Sequence, residues 1–336
     1  MSTATDSMFQ QEFSVGDTPR LSVNVIAGTI VIQAGDEAMI RVNVTGVESA
    51  SGRGEVECRK DGDEVSVRSR GSKKDAEYHI AVPVSCPVQL HTVQADATIT
   101  GTRAPITAET VSGDLTVEDV LGECRLHSVG GDITARRLEG ALVLQTTNGD
   151  VTIRQSRLHR FNVHSTNGDF EIETPLTGGE RYFAKTINGD VRLIVPSSTG
   201  LLAQLRTHNG EIRSDLPWET INRSRRNWQA RINGGGANLE MESVNGDLRI
   251  LAGTAPQNDS REEGVLDVAP DWIEAPEREV HGGTSPADTF AFDPERSEQP
   301  NPQTPNRQQR TIEVLAELER GTLTVEEAMK QLDELH

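Results

Sequence analysis

A turn of the form Thr-x-Asn-Gly-Asp followed by an apolar residue, plainest in "TTNGDVTI" at residues 146–153, returns along this chain at near-regular intervals. Such self-similarity constrains the fold more than any other feature, because each repeat must be one structural unit that its neighbours complete. With the acidic residue set at zero, the zero positions are Asp96, Asp114, Asp132, Asp150, Asp169, Asp190, Glu211 and Asp247. The intervals are 18, 18, 18, 19, 21, 21 and 36 residues, the last holding an insertion. An earlier copy, "LSVNVIAGTIVI" at 21–32, has Thr29 at zero.

Eight before zero stand Leu21, Val88, Ile106, Cys124, Leu142, Phe161, Tyr182, Ala203 and Leu239. Six before zero is again apolar, as in Val23, Leu90, Leu126, Leu144 and Val163. Four before zero is Ser or Thr in every copy except the first, and one after zero is mostly aliphatic. The positions between are polar or charged. Alternation of period two means strands with one buried face.

Asn-Gly between such runs is also a strong hairpin signal, so a meander of hairpins competes. A type I′ hairpin needs φ > 0 at both central residues. Only the second position is Gly throughout, with Ala95 the one exception, whereas the first varies. That pattern predicts single left-handed corners of a parallel β-solenoid with 18–21-residue coils, each stacked on the next. The corner residues are then Gly113 and Asp114, Gly131 and Asp132, Asn148, Gly149 and Asp150, Asn167, Gly168 and Asp169, Asn188, Gly189 and Asp190, Asn209 and Gly210, and Asn245, Gly246 and Asp247. Gly supplies αL, Asn tolerates the flanking geometry, and the Ser/Thr hydroxyl (Thr146, for example) satisfies corner backbone groups.

The order "RLSVNVIAGTIVI", a hairpin-rich excursion, "HIAVPVSCPVQLHTVQADATITG" and then serial T-x-N-G-D units resembles a bacterial β-strand-repeat family of unknown function, the putative-adhesin family, over roughly residues 9–251. The resemblance implies a right-handed solenoid and, for some members, a link to cell-envelope stress. The final coil departs from it by the insertion "SDLPWETINRSRRNWQARINGGGAN".

Residues 252–306 change character: eight of the 15 prolines lie there, with 12 acids against 3 bases. That composition buries too little to fold and reads as a disordered acidic linker, as residues 1–8 read as a disordered terminus. Residues 307–336 are helical by pattern. Ile312, Leu315 and Leu318 make one stripe; Val325, Ala328, Leu332 and Leu335 make another. Gly321 ends the first helix, and Thr324 with Glu327 caps the second. "LERGTLTVEEAMKQL" resembles the SHOCT-like short helical hairpin at the ends of bacterial proteins, which implies homo-oligomerisation through these stripes.

Function is fainter. A formal charge of −19 disfavours nucleic acid and anionic membranes as partners. No stretch is long and apolar enough to span a bilayer, and no leader is evident at "MSTATDSMFQQEF". Cys58, Cys86 and Cys124 have no metal or disulfide spacing, and the reading is cytoplasmic. Acids stacked about 4.8 Å apart repel by roughly 0.9 kcal/mol even in water. Hydrogen bonds to corner amides relieve this better than a cation, since the second glycine-rich half of a calcium repeat is missing. His91, His127 and His164 share a column two coils apart, too far for one metal. Neither a catalytic constellation nor a cofactor motif is present, and two Tyr with three Trp make poor aromatic platforms.

Arg223, Arg225, Arg226, Trp228 and Arg231 in the insertion read either as a solvated loop or as a dock for an acidic segment, the linker included. The expectation is a non-catalytic scaffold that self-associates and binds an unknown protein partner, with the resemblance implying a place in the cell-envelope stress response. The alternative is a ligand- or glycan-binding solenoid.

Overall fold

The computed structural model describes residues 9–46, 56–69, 76–224 and 227–253. The expected disordered terminus, acidic linker and helical hairpin, with Ile312, Leu315, Leu318, Val325, Ala328, Leu332 and Leu335, lie outside the described residues. Among those described, every regular element is a strand.

Strands β1 (Phe9–Ser14), β2 (Arg20–Gly35), β3 (Met39–Thr45), β4 (Val56–Asp61), β5 (Glu64–Ser69), β6 (Glu77–Pro83) and β7 (Val88–Thr100) build the first end. Later coils are strand pairs broken at the Gly-Asp corner: β8 (Ile106–Ser112) with β9 (Leu115–Glu118), β10 (Leu121–Gly130) with β11 (Ile133–Arg136), and β12 (Glu139–Asn148) with β13 (Val151–Arg154). Then come β14 (Arg157–His164) with β15 (Phe170–Glu173), β16 (Arg181–Lys185) with β17 (Val191–Pro196), and β18 (Leu201–Asn209) with β19 (Ile212–Ser214). The hairpin β20 (Trp218–Arg223) and β21 (Asn227–Ile232) precedes β22 (Ala237–Asn245) and β23 (Leu248–Gly253).

Parallel pairing makes these coils a β-solenoid. The column eight before zero is in register throughout: Leu21 faces Val88, Val88 faces Ile106, and the series continues through Cys124, Leu142, Phe161 and Tyr182. Inward side chains from both halves of each coil enter one core. Tyr182 is fully buried there, against Phe161 at 5.2 Å between ring centroids, and its hydroxyl accepts the Thr177 N–H at 2.8 Å. A buried phenol needs such a partner.

Stacking does not follow chain order at the end. Tyr182 faces Leu239, and Leu239 faces Ala203, so the last coil, β22 and β23, lies between β16–β17 and β18–β19. The chain skips one coil, returns through the insertion and fills the gap. The insertion is an antiparallel hairpin: β21 pairs with β18 and with β20, and so covers the open edge of β18. Asn233 clamps the crossing loop by donating from Nδ2 to the carbonyls of Ser197 (2.8 Å) and Thr199 (3.0 Å). At the other end β4 pairs antiparallel with β5, and β1 and β6 flank β3 antiparallel, which is the hairpin-rich excursion.

The corner glycines correct the expectation of αL geometry. Gly113, Gly131, Gly149, Gly168 and Gly189 have φ of 121°, 108°, 126°, 148° and 152°, well beyond the αL value, and Gly210 and Gly246 lie outside the left-handed range. What all seven share is close approach. A Cβ at Gly168 would lie 2.0 Å from the carbonyl oxygen of Gly149, and one at Gly246 would lie 1.9 Å from that of Gly189. The αL residues sit at the second corner of the coil and carry side chains: Asp119 (φ 54°), Arg137 (φ 51°) and Gln155 (φ 52°).

Candidate interaction surface

At the Gly-Asp corner the acids and the Ser/Thr residues form columns along the stack, and the asparagines form a third from Asn148 onward. Each carboxylate accepts the backbone N–H of the equivalent acid one coil on: Asp96 from Asp114, Asp114 from Asp132, Asp132 from Asp150 and Asp150 from Asp169, each at 2.9 Å. The series continues to Asp190, Asp247 and Glu211 at 2.8–2.9 Å. Charge-assisted bonds of this kind offset the like-charge repulsion along the column. For Asp247 the Glu211 N–H, with Arg249 at 2.8 Å, holds the carboxyl below its usual range.

The asparagines form a second ladder that the sequence reading missed, having given them only backbone tolerance. Asn167 donates from Nδ2 to Oδ1 of Asn148, Asn188 to Asn167, Asn245 to Asn188 and Asn209 to Asn245, at 2.7–2.8 Å. The Ser/Thr column points inward and donates to corner carbonyls: Thr146 to Asn148 O at 3.3 Å, Ser243 to Gly189 O at 3.0 Å and Thr207 to Gly246 O at 2.9 Å. Corner residues are thus bonded to one another along the stack.

The histidine column is dispersed. His91 pairs through Nδ1 with Glu109 at 3.0 Å, and His164 lies against Phe183 at 5.0 Å between ring centroids. Burial, with the nearby Lys185 ammonium, pushes the His164 pKa down. No cluster of metal-ligating side chains occurs among the described residues. All three thiols are free, and burial raises Cys58 to about 11 and Cys86 and Cys124 to about 12, which makes them poor nucleophiles.

Of the basic residues in the insertion, the described Arg223 and Arg231 have separate partners. Arg223 lies over the Trp228 ring at 3.9 Å, and Trp228 lies against Trp218 with centroids 5.2 Å apart, so the hairpin holds itself together through a cation–π contact. Arg231 stands three residues from Trp228 on the same strand, hence on the opposite face, and reaches Glu219 at 3.5 Å. Arg225 and Arg226 lie outside the described residues.

Beside this hairpin the outer face of the sheet holds a groove of about 520 Å³. Phe183 on β16, Leu202 on β18 and Ile221 on β20 supply its apolar surface; Arg181, Gln204, Gln229, Asn238 and Glu240 supply polar groups. Ile221 is 52% exposed and Leu202 39%. A signal for it existed: Phe183 occupies an outward column where its stacked neighbours are Asn162 and Glu240. A single outward aromatic leaves the inward period unchanged, so the repeat pattern alone does not reveal it. β20 is the outermost strand of its sheet, and no described strand but β21 pairs with it.

Residues 19–251 match the family described as Toastrack DUF4097. Among solved structures, the chain is similar to a putative adhesin from Parabacteroides distasonis, with 14% identity, 73% of this chain and 98% of that one covered, and a TM-score of 0.39. It is also similar to a putative cell adhesion protein from Clostridium sporogenes (12% identity, 74% and 100% covered, TM-score 0.26). A putative lipid binding protein from Parabacteroides distasonis is a third (10% identity, 73% and 97% covered, TM-score 0.38). No curated protein matches the chain.

Proposed function

The chain belongs to the Toastrack DUF4097 family, and from that premise we propose that it is a non-catalytic scaffold whose working surface is the groove beside β20. The observation that carries this is the grouping of half-buried Phe183 with exposed Leu202 and Ile221 against a strand edge that no described strand covers. An open edge takes an extended polypeptide by backbone pairing, and an apolar groove beside it selects the side chains. The corner acids, where chemistry would first be sought, are engaged in holding coils together. Free thiols fit a reducing, cytoplasmic setting. The sequence resemblance supports a place in envelope-stress signalling and self-association through the stripes that contain Leu315 and Leu332.

A specific observation favours a second reading: a groove lined by Phe183 together with the amides of Gln204, Gln229 and Asn238 also suits a glycan. The test compares wild type with Ile221→Asp and Leu202→Asp in capture from the native host and on a glycan array. Loss of one protein partner with unchanged folding supports the scaffold; loss of a glycan signal supports the alternative. Equal retention in wild type and both variants removes the groove from the account. Light scattering tests self-association: the full chain should be an oligomer, and truncation near residue 300, Leu315→Asp or Leu332→Asp should make it monomeric.

A further inference from the structure

The chain contains six Asn-Gly steps: 148–149, 167–168, 188–189, 209–210, 233–234 and 245–246. This dipeptide is the one most open to intramolecular attack of the following backbone nitrogen on the asparagine amide, because glycine has no side chain to shield that nitrogen. In isolated sequence terms the six are nearly equivalent. The fold makes them unequal.

Attack needs two things: a Gly nitrogen free to lose its proton and turn toward Cγ, and an Asn amide free to meet it. Within the ladder both are restrained. The Gly149, Gly168, Gly189 and Gly246 N–H groups donate to the carbonyls of Asn167, Asn188, Asn245 and Asn209 at 3.0–3.1 Å. Each of the side chains of Asn148, Asn167, Asn188 and Asn245 makes two amide hydrogen bonds, accepting at Oδ1 from one neighbour and donating from Nδ2 to another, the Val129 carbonyl in the case of Asn148.

Asn209 ends the stack. No described coil follows it, so the Gly210 N–H has no acceptor among the described residues, Gly210 is exposed where the other ladder glycines are partly covered, and Asn209 keeps a single amide bond among them, its donation to Asn245. Gly234 also has no acceptor among the described residues, but Asn233 there gives Nδ2 to two carbonyls at 2.8 and 3.0 Å, which ties down the leaving group.

We propose that Asn209 is a site of spontaneous deamidation, the first of the six to convert. The Gly210 nitrogen, deprotonated by solvent base, forms a bond to Cγ of Asn209; the Cγ–Nδ2 bond breaks and ammonia leaves, closing a succinimide. Water then opens either imide C–N bond. One opening leaves an aspartate at 209 and the other an isoaspartate, whose extra methylene lies in the main chain. Either product replaces the amide that donates to Asn245 by a carboxylate beside Glu211 and Asp247. The isoaspartate also lengthens the last corner between β18 and β19, so the change marks the age of the end coil and loosens it.

The full chain is incubated at mildly alkaline pH and peptide-mapped over time by mass spectrometry with isoaspartate detection. The same chain in denaturant serves as reference. Asn209 is expected to convert about ten- to thirtyfold faster than Asn148, Asn167, Asn188 or Asn245 in the folded protein, since two restraining hydrogen bonds are absent there. All six should convert at similar rates when unfolded. Conversion of Asn209 no faster than a ladder asparagine, or after Asn233, would overturn the proposal.

Discussion

Asp150 accepts the backbone N–H of Asp169 through Oδ1 at 2.9 Å, although the two residues are equivalent members of one like-charged column. The same relation recurs from Asp96 to Glu211, so the acids of the column are joined from coil to coil through backbone donors. Each backbone N–H needs an acceptor oxygen, not a full charge.

The role of Asp150 follows from that. Asp150→Asn keeps an acceptor and removes a repulsive neighbour, and its stability should match wild type within about 0.5 kcal/mol. Asp150→Ala strands the Asp169 N–H and should cost about 1 kcal/mol. Urea unfolding of the two variants measures the difference. A melting temperature raised by calcium in wild type and not in Asp150→Asn would contradict a structural column.

Close approach is required of every glycine in the column, and a positive φ of five of them. Gly246 separates the two causes, since it lies outside the left-handed range while its Cβ would stand 1.9 Å from the Gly189 carbonyl. Gly246→Ala should cost more than about 2 kcal/mol, because neighbouring coils must part. Gly179 has φ 85° and open space around its Cβ position. Gly179→Ala should cost only about 1 kcal/mol of backbone strain. Reversal of that order in denaturant midpoints would restore the conformational explanation.

At the second corner Gln155 holds φ 52° with a side chain. Asn visits this region more readily than Gln. Gln155→Asn should therefore leave the fold intact and raise stability by about 0.5 kcal/mol, seen as a small rise in Tm.

Stability should fall in acid, and the sign is fixed by the carboxylates. Asp247, hydrogen-bonded by the Glu211 N–H and by Arg249, and Asp63, hydrogen-bonded by the Gly16 N–H, both have folded pKa values below their ordinary ones. Their contribution is complete above the unfolded-state value of about 3.9 and is lost as pH falls through the lower folded value. Urea midpoints measured from neutral pH downward should drop in that window, and Asp247→Asn should reduce the slope.

Periodicity carried much of this architecture, because inward and outward columns are properties of a few adjacent residues. The register of Leu21, Val88, Ile106 and Cys124 could be read before any coordinate, since a slip by one residue would turn each inward side chain to solvent. The Asn and Asp columns were equally visible; their partners were not, because each bond runs to a different coil.

What local sequence determined, then, is the coil: its length, its corner and the face each residue presents. Tertiary structure alone decided which coil lies on which. Coils with matching columns offer nearly interchangeable edges, so nothing within "THNGEIRS" or "SVNGDLRI" says which stacks on Asn188 and Asp190. The choice fell to long-range contacts: β21 occupies the open edge of β18, and Asn233 holds the crossing loop by two carbonyls. Leu239 therefore meets Tyr182, and Asn209 is left at the end.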